Sequence, residues 1–275
     1  MGRWQKVVIT ASMVAFVALL ALALSAGGLG FTLPAGRVRD VARWYLFTTF
    51  NPDLELFSAM APEGVTSIVW DYRGLDTLFE TAVFFLAIIG SVAIMRDIKT
   101  GGGSKPKGST GLSPIVKTVT RITVGIILAV AASIALHGHL TPGGGFQGGA
   151  TAAVAPLLIL VIFSRYYIER LGVSKNAMLA IRSLGLVGIA VTAFIVLAVT
   201  SLQGGVAYVF QNQPKPYAPA GMPYEVGGSL TGGTLLLFNI FEMFAVSAGF
   251  TIIFLLLAIP ESEVLGVLRG GEDGH

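Results

Sequence analysis

The chain contains no cysteine, and only 12% of its residues are charged. The first absence rules out disulfides, thiolate metal sites and cysteine-held iron–sulfur clusters, so any redox chemistry belongs to a partner. The second departs from soluble domains, in which about 25% of residues are charged. Histidine is scarce too: His137, His139 and the terminal His275. Zinc ligands come in threes and fours, so no metal site is expected. Hydrophobic residues make up 54% of the chain, and they fall in blocks of membrane length.

A bilayer is crossed by about 20 mainly apolar residues. Six segments qualify: Val7–Leu24, Leu75–Met95, Val116–Leu136, Gly149–Phe163, Leu179–Leu202 and Gly233–Ile259. The fourth is short unless it continues to Tyr167. The expected fold class is therefore all-α, a polytopic membrane protein with six transmembrane helices. The first segment has the basic start, apolar run and small residues of a signal peptide, but is read as a retained span.

Lys and Arg set the orientation. With a cytoplasmic N-terminus, thirteen basic residues lie on the inner side and five (Arg37, Arg39, Arg43, Arg73 and Lys215) on the outer. Six spans then return both termini to the cytoplasm, as expected of a multi-pass protein of the cell membrane. The net charge of +3 is explained by this topology and implies no nucleic-acid partner.

Four stretches follow in order. Residues 1–99 hold two spans separated by a long outer connection, Ser25 to Gly74. Within it, Arg37–Phe50 mixes Arg and Asp with Trp44, Tyr45 and Phe47, as in a helix lying at the lipid interface or a docking surface for a neighbouring protein. Residues 100–114, rich in Gly, Ser and Lys, form a flexible linker. Residues 115–260 hold four spans and an outer loop, Gly204–Gly232, which four prolines make irregular. Residues 261–275 are a polar, mobile tail.

The segment His137–Gly149 joins two of these spans and carries Pro142, Gly143, Gly144, Gly145 and Phe146. A glycine-rich loop that cradles phosphate follows a strand and opens a helix with Lys-Ser/Thr. Here no Lys or Arg occurs between Arg121 and Arg165, and hydrophobic runs lie on both sides. Two readings remain: a plain hairpin turn, or a structured re-entrant turn that serves an ion path.

Chemistry is expected at acids inside the membrane. Asp76 and Glu80 share a helix face. Asp76 either sits at headgroup level, capping the helix and pairing with Arg73, or takes part in ion translocation by drawing cations towards Glu80. Glu80 lies roughly 7–8 Å further in, where a carboxylate needs water or a protein partner and is a candidate for cation or proton handling. The hydroxyls of Thr77 and Thr81 offer neutral oxygen ligands to Na+. Glu242 lies about 13 Å into the last span, with Asn239 on the same face. It is either a protonated hydrogen-bonder between helices or a second ion-handling acid. His137 and His139, at the outer end of their span, either relay protons or bond backbone carbonyls. Gly125, Ala129 and Ser133 form a small-residue stripe suited to helix packing. Pro156 is expected to kink the fourth span, and Arg165 at its end to snorkel to headgroups.

The stretch His137–Gly149, with Pro-Gly-Gly-Gly-Phe at 142–146, resembles the signature of the MnhB/MrpB family within Mrp-type Na+/H+ antiporters, a likeness that covers residues 115–260. Asp71–Thr81 resembles the acid-bearing helix at the C-terminal end of the large MrpA component of the same complexes. The resemblance implies that Glu80 matches an acid important for cation translocation. It also implies that His139, Pro142 and Phe146 fall on sensitive positions and Arg165 near a basic one. Here the MrpA-like segment begins the chain and is fused to the MrpB-like part, an arrangement similar to archaeal membrane-bound hydrogenases and sulfur-reducing complexes.

Three readings follow. The chain is an ion-translocating subunit of a redox-driven complex, or part of a stand-alone Na+/H+ antiporter, or a non-conducting subunit that holds larger pumps together. In each it is a non-catalytic membrane subunit without a cofactor of its own, Na+ apart. Its partners are other Mrp-type subunits, the lipid bilayer and, in the first reading, a complex I-like redox arm. Six helices without a detectable inverted repeat argue against autonomous transport.

Overall fold

Apolar runs of membrane length become helices because only a helix satisfies its own backbone in hydrocarbon. A computed structural model describes residues 3–26, 39–95, 112–261 and 263–266. The expected linker up to residue 111, and the tail from residue 267, lie outside the described residues. Among the described residues, six helices are long and apolar enough to cross a membrane. They are α1 (Arg3–Ser25), α4 (Gly74–Ile94), α5 (Pro114–Leu136), α6 (Gly145–Ile162), α8 (Lys175–Leu202) and α9 (Thr234–Leu257). Shorter helices are α2 (Asp40–Thr49), α3 (Gly64–Thr66) and α7 (Arg165–Arg170). The protein is an all-α, multi-pass membrane protein.

Capping residues fix several boundaries. Ser113 Oγ accepts from Val116 N, with Pro114 in the first turn, and Ser174 Oγ accepts from Ala177 N at 3.2 Å. The fourth span does not run on to Tyr167 as one helix. It ends at Ile162, and Ser164, at φ 148°, caps the separate helix α7 by accepting from Tyr167 N. At its other end α6 starts four residues earlier than its apolar run, inside the glycines. It continues through Pro156 without interruption.

The chain forms two compact units, Met1–Trp44 and Tyr45–His275. In the first, α1 is apolar all round and exposed along its length. Such a helix needs lipid or another protein around it. The second unit is built on α9, which packs against α6 and α8, with α5 on α6 and α4 along α9. Trp70 and Phe238 stack at its core, ring centroids 4.3 Å apart, beside Ile189, Ala193 and Leu235.

Two non-spanning segments close one end of this bundle. Residues Pro52–Phe57 form a 3-10 helix, and α3 runs into a π-helical turn, Ser67–Tyr72. The proline-rich loop is irregular, apart from a hairpin of β1 (Glu225–Val226) and β2 (Ser229–Leu230), with Glu225 opposite Leu230. Its buried amides act as staples. Asn212 donates to Ala59 O at 2.8 Å and accepts from Thr234 N at 2.9 Å, which caps α9.

The stripe Gly125, Ala129 and Ser133 makes no helix packing among the described residues. All three are exposed, and nothing lies within 4 Å of a Cβ on Gly125. Small residues here remain uncovered because α5 turns a different face, Ala131 and Ala135, to α6.

Candidate functional site

Where α5 ends, the chain turns through His137–Gly144 and enters α6 at close quarters with α9. Gly144 sits at φ 136°, a conformation that side-chain-bearing residues rarely adopt, and Gly145 lies directly against α9. A Cβ on Gly145 would come within 2.5 Å of Asn239 O and 2.6 Å of the Glu242 Cβ. Asn239 Oδ1 accepts from Gly145 N at 3.3 Å. The turn is further tied to α3: Thr66 Oγ1 donates to Gly138 O at 2.6 Å, and Glu63 N to His139 O at 3.1 Å.

These approaches leave a cavity of about 200 Å³ between the turn, α3, the π-helical turn, α4 and α9. Its walls are Val65 and Thr66, Val69 and Trp70, Thr77 and Glu80, Gly143 to Gln147, and Asn239 with Glu242. That is room for several waters. Carboxylates from two different helices thus line one cavity. Glu242 is buried, whereas Glu80 is exposed on the outer face of α4 and stands at the cavity's edge. The Trp70 indole N–H is turned towards the Glu242 carboxylate without closing a direct hydrogen bond. Asn239 Nδ2, on the same wall, is a buried donor with no partner among the described residues. Two unpaired donors therefore stand beside two acids on one wall of the cavity.

The other sequence-derived candidates spread outward. Thr77 lines the cavity and donates to Val69 O at 2.6 Å, while Thr81 donates to Thr77 O within its own helix and does not line it. Asp76 is exposed and pairs with Arg73, Oδ2 accepting from Nε at 2.6 Å. The two histidines part company. His137 is exposed and its Nδ1 lies 3.0 Å from Ser133 O. His139 is 2% exposed with Nε2 2.9 Å from Leu230 O, so Nε2 carries the hydrogen and donates. Burial pushes the His139 imidazole below its ordinary pKa.

Pro142 is exposed on the turn, and the Phe146 ring meets Phe84 and Phe250 at centroid distances of 6.4 and 6.2 Å. Arg165 does not snorkel free. Its side chain is 14% exposed, bound through Nε to Glu169 Oε1 at 3.0 Å, with Glu263 3.9 Å away. A carboxylate one turn along α7 holds it. Among the described residues no cluster of three His, Cys, Asp or Glu stands close enough to hold a metal.

Two residues of the structure carried no clear sequence signal. Asp71, in the π-helical turn beside Trp70, is buried and faces Lys215 Nζ at 3.6 Å. Burial pushes its carboxyl above the ordinary range, and the ammonium acts in the opposite direction. Arg182, in α8, is fully buried. A charge seven residues from a helix end reads in sequence as a flank, and only the packing of α4 shows it to be enclosed.

The fold and site define a multi-pass membrane protein with carboxylates from two helices lining one cavity. Residues 115–252 match the family described as a domain related to the MnhB subunit of the Na+/H+ antiporter, and the chain belongs to that family. An uncharacterised protein of Methanocaldococcus jannaschii is 29% identical over 37% of this chain, which spans 44% of that relative's length. The structure is similar to a chain of the membrane-bound sulfane sulfur reductase, an archaeal respiratory membrane complex, with 25% identity and a TM-score of 0.57. That similarity covers 94% of this chain and 100% of the other. A chain of the Mrp complex from Dietzia sp. DQ12-45-1b shares the fold, with a TM-score of 0.55 and 19% identity over 94% of this chain and 26% of that one.

Proposed function

We infer that this chain is a membrane subunit of an Mrp-type Na+/H+ antiporter module, that it takes part in Na+ or H+ translocation, and that it works inside a redox-driven respiratory complex of the hydrogenase or sulfane sulfur reductase type. The observation that carries this reading is the shared cavity of Glu80 and Glu242. Two carboxylates in a low-dielectric space repel one another, and either a proton or a Na+ relieves the repulsion. The two ions therefore compete for one place, which is the chemical requirement of exchange.

The redox-driven setting is favoured by the likeness to the sulfane sulfur reductase chain, which extends over that whole chain. Residues 1–99 are then the counterpart of the C-terminal end of MrpA, and residues 115–260 of MrpB. The partners are other Mrp-type subunits and a complex I-like redox arm, and both termini are cytoplasmic in the cell membrane. Electron transfer stays with those partners.

The test uses the assembled complex in sealed vesicles. Glu80→Gln and Glu242→Gln keep shape and remove charge, so assembly survives while uptake of radioactive sodium falls by most of its value. Unchanged Na+ dependence in both variants would leave this chain with a structural role only.

A further inference from the structure

Arg182 is 1% exposed, and neither terminal nitrogen of its guanidinium has a hydrogen-bonding partner among the described residues. No ion pair among those residues includes it. Its Cζ lies 4.3 Å from the Phe85 ring centroid and 6.0 Å from that of Phe84. Cation–π attraction offsets part of the desolvation of an unpaired charge, not all of it. A charge kept inside a membrane helix at such a cost is a functional candidate.

Its position gives the function. Phe84 is one turn beyond Glu80 on α4, about 6 Å along the axis. The same ring lies against Gly249, seven residues beyond Glu242 on α9 and about 10 Å along it. Between the two levels Phe84 meets Phe146 and Phe250, at 6.4 and 5.1 Å between centroids. Arg182 is thus joined to the carboxylate cavity through one ring: Phe84 meets Phe146, which lines the cavity, on one side and the guanidinium on the other.

We propose that Arg182, held against Phe84 and Phe85, is an electrostatic stop that closes the Phe84 side of the carboxylate cavity to cations. An ion that reaches Glu242 then leaves sideways past Glu80, on the exposed face of α4, towards a neighbouring protein of the complex, and not through this chain. This inference rests on the ion-handling reading of the cavity. An uncompensated positive charge away from bulk water raises the energy of any cation that approaches it.

The test is passive leak through the complete complex in sealed vesicles, with the driving reaction off and radioactive sodium and chloride as probes. Arg182→Met should raise sodium leak at least severalfold and leave chloride unchanged, while Arg182→Lys, which keeps the charge, stays tight. Adding Glu80→Gln to Arg182→Met should reduce the sodium leak again. Replacing an unpaired buried charge by an apolar side chain of similar length removes a desolvation cost that the ring contacts only partly offset, so Arg182→Met should assemble. A tight Arg182→Met complex overturns the proposal, as does equal leakage of both ions, which would mean loosened packing. Failure to assemble overturns it too, because the charge would then serve assembly. The ion-handling reading fails on a separate measurement, the driven sodium uptake of Glu80→Gln and Glu242→Gln.

Discussion

Gly145 and Glu242 touch: the first residue of α6 lies so near α9 that its missing Cβ would stand 2.6 Å from the Cβ of the acid. The glycine sets where the carboxylate faces, because α6 starts beside it and the cavity begins where the two helices part. Gly145→Ala must push α6 away from Asn239 O as well, which is backbone and yields little. Overpacking of this kind costs about 1–3 kcal/mol. Reduced thermal stability of the purified complex, together with lost sodium uptake, is expected; wild-type values for both would show that the contact does not shape the site.

His139 should confer a pH dependence on stability. Its folded-state pKa is lowered by burial, so the unfolded chain binds the proton more readily. Stability is then fully present above the ordinary histidine value of about 6.5 and is lost as pH falls below it, until the folded-state pKa is reached. His139→Gln keeps an N–H donor for Leu230 O and does not titrate. The drop in melting temperature between about pH 7.5 and 5.5 should therefore be smaller in the variant than in the wild type.

Lys215 neutralises a carboxylate that its surroundings bury. Lys215→Met leaves Asp71 enclosed without a cation, which destabilises the loop's contact with the π-helical turn. The ammonium is partly exposed, so the cost falls below the about 3–5 kcal/mol of a fully buried pair broken at one end. Adding Asp71→Asn should restore most of it. A double variant no better than Lys215→Met would show that the pair does not act as a unit.

Orientation is testable at two exposed positions on either side of α8. Cysteine at Tyr217, 92% exposed in the outer loop, should react with an impermeant reagent added to right-side-out vesicles. Cysteine at exposed Leu171 should react only after the vesicles are opened. The opposite pattern would reverse the topology. Gln213 is a poor reporter in the same loop because its side chain is buried and bonded to Met222 O.

By itself the sequence determined the number of spans, because the length of an apolar run against the thickness of a bilayer is a one-dimensional quantity. It also singled out Glu80 and Glu242 as acids within such runs, since an acid there is costly wherever the helix packs. The Arg73–Asp76 pair was legible for the same reason, being a matter of spacing along one helix. Tertiary structure alone decided which acids meet. Glu80 and Glu242 are 162 positions apart, and they share a cavity because Gly144 and Gly145 let the chain between α5 and α6 pass against Asn239 and Glu242. It also separated His137 from His139, two residues apart in sequence: one meets solvent and the other the carbonyl of Leu230, brought in by the hairpin. The enclosure of Arg182 by Phe84 and Phe85, and of Asp71 beneath Lys215, depends on residues distant in the chain. No local pattern encodes such contacts, because burial of a charge is a property of what the fold packs around it.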